Sequence, residues 1–250
     1  MSKSALIYSR QAVRECLRAR RRAMYKLLLG AGVEDAPIIR EIRALAEAQG
    51  IPLASVVREA LPPDAQGVAL KAGPYPYADL DEVFSLAEGR NERPFLLILD
   101  GIQDPHNLGN LIRTAEAAGV HGVVIGARRS ASVTPAVVNA SAGATEHMLI
   151  AQVVNLARAV EAIKARDVWV VALHGEAQQT LYELDLRGGL AFVIGSEGEG
   201  VSRLLREKAD IVARLPMRGR VGSLNAAAAG AAALYEAVRQ QSQAALKSAR

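Results

Sequence analysis

Phe95-Leu-Leu-Ile-Leu-Asp-Gly-Ile-Gln-Asp-Pro-His-Asn-Leu-Gly-Asn-Leu-Ile-Arg-Thr114 decides the fold class. Its first residues, 95–99, form an unbroken apolar run, as a strand covered on both faces requires. A polar turn follows, and then residues 108–118 carry helical periodicity. The same alternation recurs downstream. Residues 120–125, 168–173, 190–194 and 211–215 read as strands. Residues 134–140, 156–165, 201–207 and 224–240 read as helices, with Thr134 as a cap and Pro135 in the first turn. Alternating strands and helices predict an α/β fold with a parallel sheet and helices on both faces.

Upstream of Pro94 the text changes. Residues 9–22 and 38–48 read as helices, 55–61 as a third short helix, and 24–29 and 67–70 as strands. This is a small α/β unit. Residues 89–94, within the polar Gly- and Pro-containing stretch 88–94, serve as a linker. The expected division is an N-terminal domain over 1–88, a linker over 89–94 and a C-terminal domain over 95–250.

The chain has 250 residues, half of them hydrophobic, which suffices for a real core without staples. Cys16 is the one cysteine, so neither an intramolecular disulfide nor a thiolate metal site is expected. His121, His147 and His174 lack metal-ligand spacing and read as structural, while His106 is either a ligand contact or a loop terminus. No metal is expected. Trp169 lies in a strand and reads as core. The first 30 residues are basic rather than apolar, and no apolar run is long enough to span a bilayer. A cytoplasmic protein without a membrane partner is expected. Those 30 residues hold eight Lys or Arg and one Glu, against a net charge of +4 for the chain. Such a run is either a solvated helix face or a footprint for nucleic acid. Aromatic residues are only 4% of the chain, which argues against base stacking as the main binding mode.

Three segments carry chemistry, each just after a strand, where open parallel sheets collect ligands. The first is 100–114. Asn107 there is a helix cap or a ligand contact, and Arg113 a surface cation or a group reaching the same strand end. The second is Gly195-Ser-Glu-Gly-Glu-Gly200. Its glycines permit tight turns, but it lacks the Lys of a P-loop and the order of a dinucleotide fingerprint. Glu197 within it would repel a pyrophosphate. The third is Leu215-Pro-Met-Arg-Gly-Arg-Val-Gly-Ser-Leu-Asn225, where Ser223 or Asn225 could cap the last helix.

In this order the three segments resemble the SpoU family of S-adenosylmethionine-dependent RNA ribose 2′-O-methyltransferases. The resemblance rests on Asn107-x-Gly109-x-x-x-Arg113, on 195–200, and on Leu215-Pro-Met-x-Gly with Ser223-Leu-Asn225. It spans about 94–239, and residues 6–13 look like the start of the small RNA-binding domain of many members. The resemblance implies a deep trefoil knot in the C-terminal domain, and a homodimer with its active site between subunits. It implies that S-adenosylmethionine is held by Gly195, Glu197, Gly198, Ile211, Leu215, Met217, Ser223 and Leu224. It further implies catalytic roles for Asn107, Arg113, Glu197, Ser223 and Asn225. Arginine is charged at ordinary pH, so Arg113 is expected to hold a phosphate or stabilise an alkoxide rather than act as a simple base. Arg10, Arg20, Arg21 and Arg22 are the RNA-binding candidates.

The expected substrate is structured RNA, large-subunit ribosomal RNA first and transfer RNA second. The family pattern usually continues with a second Ser where this chain has Ala227, and often has Glu where it has Gly222. A non-catalytic ribosome assembly factor on the same fold is therefore the competing reading; absence of cofactor binding would favour it. A nucleotide enzyme of another class would need the missing fingerprints.

Overall fold

Tertiary pairing organises the N-terminal residues into a mixed four-stranded sheet. The computed structural model describes residues 4–248. Its first elements are β1 (Ala5–Tyr8), α1 (Arg10–Ala19), β2 (Met24–Gly30), α2 (Pro37–Ala48), β3 (Leu53–Val56) and β4 (Val68–Ala72). The sheet order is β1-β4-β2-β3, with β2 and β3 parallel and the other pairs antiparallel. Helix α1 turns Ala12, Val13, Cys16 and Leu17 inward, the spacing of one helical face. These residues meet Leu27, Ile39, Ile42 and Leu70 in one buried cluster. The helix expected over 55–61 is instead β3 followed by a 3₁₀ turn at Arg58–Ala60. The register Leu27↔Leu53 to Gly30↔Val56 claims the backbone groups a helix would need, and Pro62 leaves no room to extend one.

Beyond Pro76 come α3 (Leu80–Gly89), β5 (Phe95–Asp100), α4 (Pro105–Ala117), β6 (Gly122–Gly126) and α5 (Pro135–Ala140). They are followed by β7 (Leu149–Val153), α6 (Leu156–Lys164), β8 (Trp169–Leu173), β9 (Gln179–Thr180), β10 (Leu190–Gly195), α7 (Arg203–Lys208), β11 (Ile211–Arg214) and α8 (Ala226–Ser248). The second sheet has the order β7-β6-β5-β10-β8-β11-β9 and is parallel throughout. Leu96, Ile98, Val193 and Val170 face Val83 of α3, Val160 and Ile163 of α6, and Leu205 of α7. Helices α4 and α8 pack together. Gly230 of α8 lies so close to the Leu111 side chain that a methyl group there would collide with it.

The compact units divide the chain differently from 1–88, 89–94 and 95–250. One unit comprises Met1–Pro76 with Ser132–His147, and the other Tyr77–Ala131 with Met148–Arg250. Helix α3 and the stretch 89–94 both fall inside the second unit. Residues 132–147 join the first because their apolar and charged groups are satisfied there. Val138 enters the N-terminal core, and Glu146 is fully buried against Arg22. Arg22 Nη2 donates to Glu146 Oε1 at 2.6 Å and Nε to Oε2 at 3.0 Å, a two-pronged pair. Thr145 Oγ1 donates to the same carboxylate, and the Tyr75 hydroxyl donates to the Thr145 carbonyl at 3.0 Å. Burial pushes the Tyr75 phenol up to about 12, against the pull of Arg21 and Arg22.

Trp169 is not core. It opens β8 with its side chain outward and is 58% exposed, while Val170 points in. His121 is structural: its Nδ1 accepts from the Phe95 N–H at 3.0 Å. No helix among the described residues is long and apolar enough to cross a membrane.

Candidate functional site

Strands β5 and β10 are neighbours, yet the chain leaves β5 toward β6 and leaves β10 toward the other edge. This reversal opens a crevice at the carboxyl ends of the strands. The register Gly195↔Asp100 sets the first two motifs side by side above it. Asp104, not Asn107, caps α4: its carboxylate accepts from the His106 N–H at 3.3 Å and the Asn107 N–H at 3.1 Å. The Asn107 side chain is therefore free for other work. Its Nδ2 donates to Glu197 Oε1 at 3.0 Å, and its Oδ1 accepts from Asn225 Nδ2 at 2.9 Å. Asn225 Nδ2 also donates to Glu197 Oε1. The three side chains thus close a triangle from three distant segments, and Glu197 Oε2 has no partner among the described residues.

Asn225 does two things at once. Its Oδ1 accepts from the Ala227 N–H at 2.8 Å and the Ala228 N–H at 3.2 Å, capping α8. That cap uses only the backbone of Ala227, so the missing serine hydroxyl costs it nothing.

A cavity of about 650 Å³ opens beside this triangle, between the loops after β8, β10 and β11. Gly195, Glu197, Gly198, Leu215, Met217, Ser223 and Leu224 all line it. Ile211 does not: it is the first residue of β11, paired with Val171, at the far end of that strand. Gly195 has no room for a side chain, because one would run into the backbone of Gly200 and Val201. The lining holds Glu176, Glu197 and Glu199 and no Lys or Arg. That chemistry suits a cationic ligand and disfavours a pyrophosphate. Its size is within the range of nucleoside-sized sites. S-Adenosylmethionine, with a positive sulfonium and an apolar adenine face, fits these residues.

Arg113 is exposed on α4, lines neither this cavity nor the smaller one beside it, and has no hydrogen bond or ion pair among the described residues. It lies six residues beyond Asn107, about 120° away around the helix by the geometry of 3.6 residues per turn. Within one chain it does not join the triangle. The sequence missed His174 and Glu176, which also line the cavity. They directly follow a parallel strand, a signal that was available. Arg206 Nη1 lies 3.0 Å from His174 Nε2.

The basic N-terminal run is largely spoken for. Arg22 is buried with Glu146 and cannot reach RNA. Arg14 pairs with Glu15, and Arg18 with Glu15 and Glu41. Arg10 bonds to Gln66 and lies 3.9 Å from Glu34, and Arg21 bonds to Tyr75 and the Pro76 carbonyl. Arg20 remains exposed at the end of α1. The sheet sets Lys26 of that run beside Lys71, which the sequence did not single out. Lys26 and Lys71 lie opposite each other on β2 and β4, both exposed.

Comparison with known proteins agrees with this geometry. A family model described as the SpoU rRNA Methylase family matches residues 94–235. YacO of Bacillus subtilis (strain 168), named for the TrmH family of tRNA/rRNA methyltransferases, is 42% identical over 94% of this chain and 95% of its own length. The 23S rRNA (guanosine-2'-O-)-methyltransferase RlmB of Pseudomonas aeruginosa is 39% identical over 96% of this chain and 98% of its own. Among solved structures, the AdoMet-bound rRNA methyltransferase from Sinorhizobium meliloti superposes with a TM-score of 0.76 at 25% identity, covering 94% of this chain and 87% of that one. The SpoU methyltransferase AviRb from Streptomyces viridochromogenes, in complex with AdoMet, gives 0.82 at 24% identity over 96% and 91%, which speaks for the fold. The match to the family model covers more than half of the chain and includes the Asn107–Glu197–Asn225 triangle: the chain belongs to the SpoU rRNA methylase family.

Proposed function

We propose that the protein methylates a ribose 2′-hydroxyl of large-subunit ribosomal RNA, using S-adenosylmethionine held in the 650 Å³ cavity. The observation that carries this is the Asn107–Glu197–Asn225 triangle at the cavity's edge. When bound, the cofactor supplies a methyl group already activated by its positive sulfonium. The protein's share is alignment and charge. Glu197, fixed by two amide donors, presents Oε2 as an acceptor for the ribose hydroxyl, and so orients it. Asn107 and Asn225 hold that carboxylate in one rotamer. Ser223 closes the loop side of the cavity. The acidic lining favours the cation and excludes nucleotides of other classes.

Arg113 enters the reading through a second copy of the chain. An exposed, unpaired arginine outside both cavities supports a homodimer in which each site is completed by the other subunit. There its permanent charge would stabilise the developing alkoxide. Substrate choice follows the RlmB relatives, with transfer RNA second. The trefoil threading of the chain and a cytoplasmic location belong to the same reading.

The test is transfer of labelled methyl groups to unmodified large-subunit ribosomal RNA and, separately, to transfer RNA. Label is expected in an alkali-resistant 2′-O-methylated nucleotide of the ribosomal RNA. No label on either RNA, with no cofactor binding, would move the protein to the assembly-factor reading. Arg113→Ala is expected to lower kcat about a hundredfold or more while leaving the cofactor Kd unchanged. Wild-type turnover in this variant would remove Arg113 from the site.

A further inference from the structure

A second cavity, of about 480 Å³, lies at the ends of β5, β6 and β10. Ser196, Glu197, Glu199 and Gly200 line both cavities, so one wall is common to the two. Their charges differ. The larger has no Lys or Arg among the described residues of its lining, whereas Arg128 and Arg129 stand together in the smaller one. Both are exposed, and neither side chain has a hydrogen bond or ion pair among the described residues. Arg113 is likewise unpaired among the described residues, whereas Arg14, Arg18, Arg22, Arg187 and Arg239 hold carboxylates.

The cavity's acids are mostly engaged. Asp100 Oδ2 accepts from the Ser202 N–H at 2.7 Å, Asp104 caps α4, and Glu197 is held by the two asparagines. Hydrogen bonds from neutral donors leave those carboxylates charged, so the lining sets four acids beside Arg128 and Arg129; the two guanidinium groups, with no carboxylate partner among the described residues, are its one anion-binding pole. Ser130 beside them carries a buried hydroxyl with no partner among the described residues. Buried polar groups are normally paired, so an orphan next to two free arginines points to a missing anion. The loop that presents them is fixed at both ends. The Ala127 N–H donates to the Val153 carbonyl and the Ala131 N–H to the Ile102 carbonyl, each at 2.8 Å. Arg129 itself holds a left-handed φ of 58°, uncommon for a residue with a side chain.

We propose that this second cavity seats the nucleotide whose ribose is methylated, with Arg128 and Arg129 gripping a backbone phosphate next to that ribose. The assignment rests on the reaction proposed above. It places the donor on one side of Glu197 and the acceptor on the other. The planar forks of arginine match phosphate oxygens in pairs, and a rigid loop loses little entropy in offering them.

Arg128→Ala, Arg129→Ala and the double variant test it, with RNA KM, kcat and cofactor Kd measured across salt concentrations. Each single change is expected to raise the RNA KM by about tenfold, leave the cofactor Kd alone, and flatten the logarithmic salt dependence by about 0.7–0.9. Arg129→Lys should keep the salt slope, since the charge remains, while losing part of the affinity. Unchanged KM and slope in the double variant would overturn the proposal. A weakened cofactor Kd with normal RNA KM would also overturn it, by assigning the arginines to the cofactor's carboxylate. Filter retention of the same RNA without turnover keeps the two readings apart. If the wild type transfers no methyl group, the reaction falls. Loss of RNA retention in the double variant would still support the phosphate grip, and equal retention would overturn it.

Discussion

Glu146 has no solvent contact at all, and its partner Arg22 keeps 2% of its side-chain surface. Desolvation on that order is tolerable only while both charges and their hydrogen bonds remain together. Removing one partner leaves the other stranded. Glu146→Ala is expected to cost about 3–5 kcal/mol of stability, read as a fall in the urea midpoint, with Arg22→Met plus Glu146→Leu recovering much of it. A loss below about 1 kcal/mol for Glu146→Ala would mean that water reaches the pair. The basic run at the N-terminus shows why single residues are hard to read from sequence. Eight cations in thirty residues suggest one face for one polymer. The carboxylates that answer them are scattered at 15, 34, 41 and 146, and only folding collects them. Asn107 is the converse case. Its local neighbourhood suggested a cap, but Asp104 three residues earlier already fills that role, and the amide was left for Glu197.

Helices and strands with strong periodicity were legible. The strands at 95–100, 122–126, 169–173 and 190–195 fall where apolar runs placed them, and Thr134 does cap α5. The short pieces were not. β3 exists through its pairing with β2, and β9 is two residues attached to β11. Neither carries enough pattern to stand apart from a turn. The loop after β10 was legible as tight, but the reason for Gly195 was not. A side chain there would enter the backbone of Gly200, which folds back to pair with Ser196. Backbone cannot step aside as a flexible side chain can. Gly195→Ala is therefore expected to lower stability by about 1–3 kcal/mol and to weaken cofactor binding at least tenfold, measured by thermal unfolding with and without ligand. Unchanged cofactor affinity would separate this turn from the cavity it borders.

The chain passes between its two compact units at 76–77, again at 131–132 and a third time at 147–148. No composition shift marks the second and third passages. Residues 132–147 lie between two strands of the parallel sheet, so any reading along the sequence assigns them to that sheet's unit. Their physical allegiance is set by Val138 and Glu146, whose partners lie more than a hundred residues upstream. A fragment ending at Pro76 should then lack both the α5 contribution to its core and the carboxylate for Arg22. It is expected to show no cooperative thermal transition. The same fragment joined through a short linker to Ser132–His147 is expected to regain one. Cooperative unfolding of the shorter fragment would show that the inserted segment decorates a unit already complete.

The separation of 124 residues between Arg22 and Glu146 also has a meaning in time. Translation delivers about 5–20 residues per second, so the guanidinium emerges on the order of ten seconds before its carboxylate does. Through that interval the nascent N-terminal unit carries a cation facing a site built to be dry. Its completion is gated by the ribosome's progress through the following unit, so that synthesis of one half becomes the schedule for finishing the other.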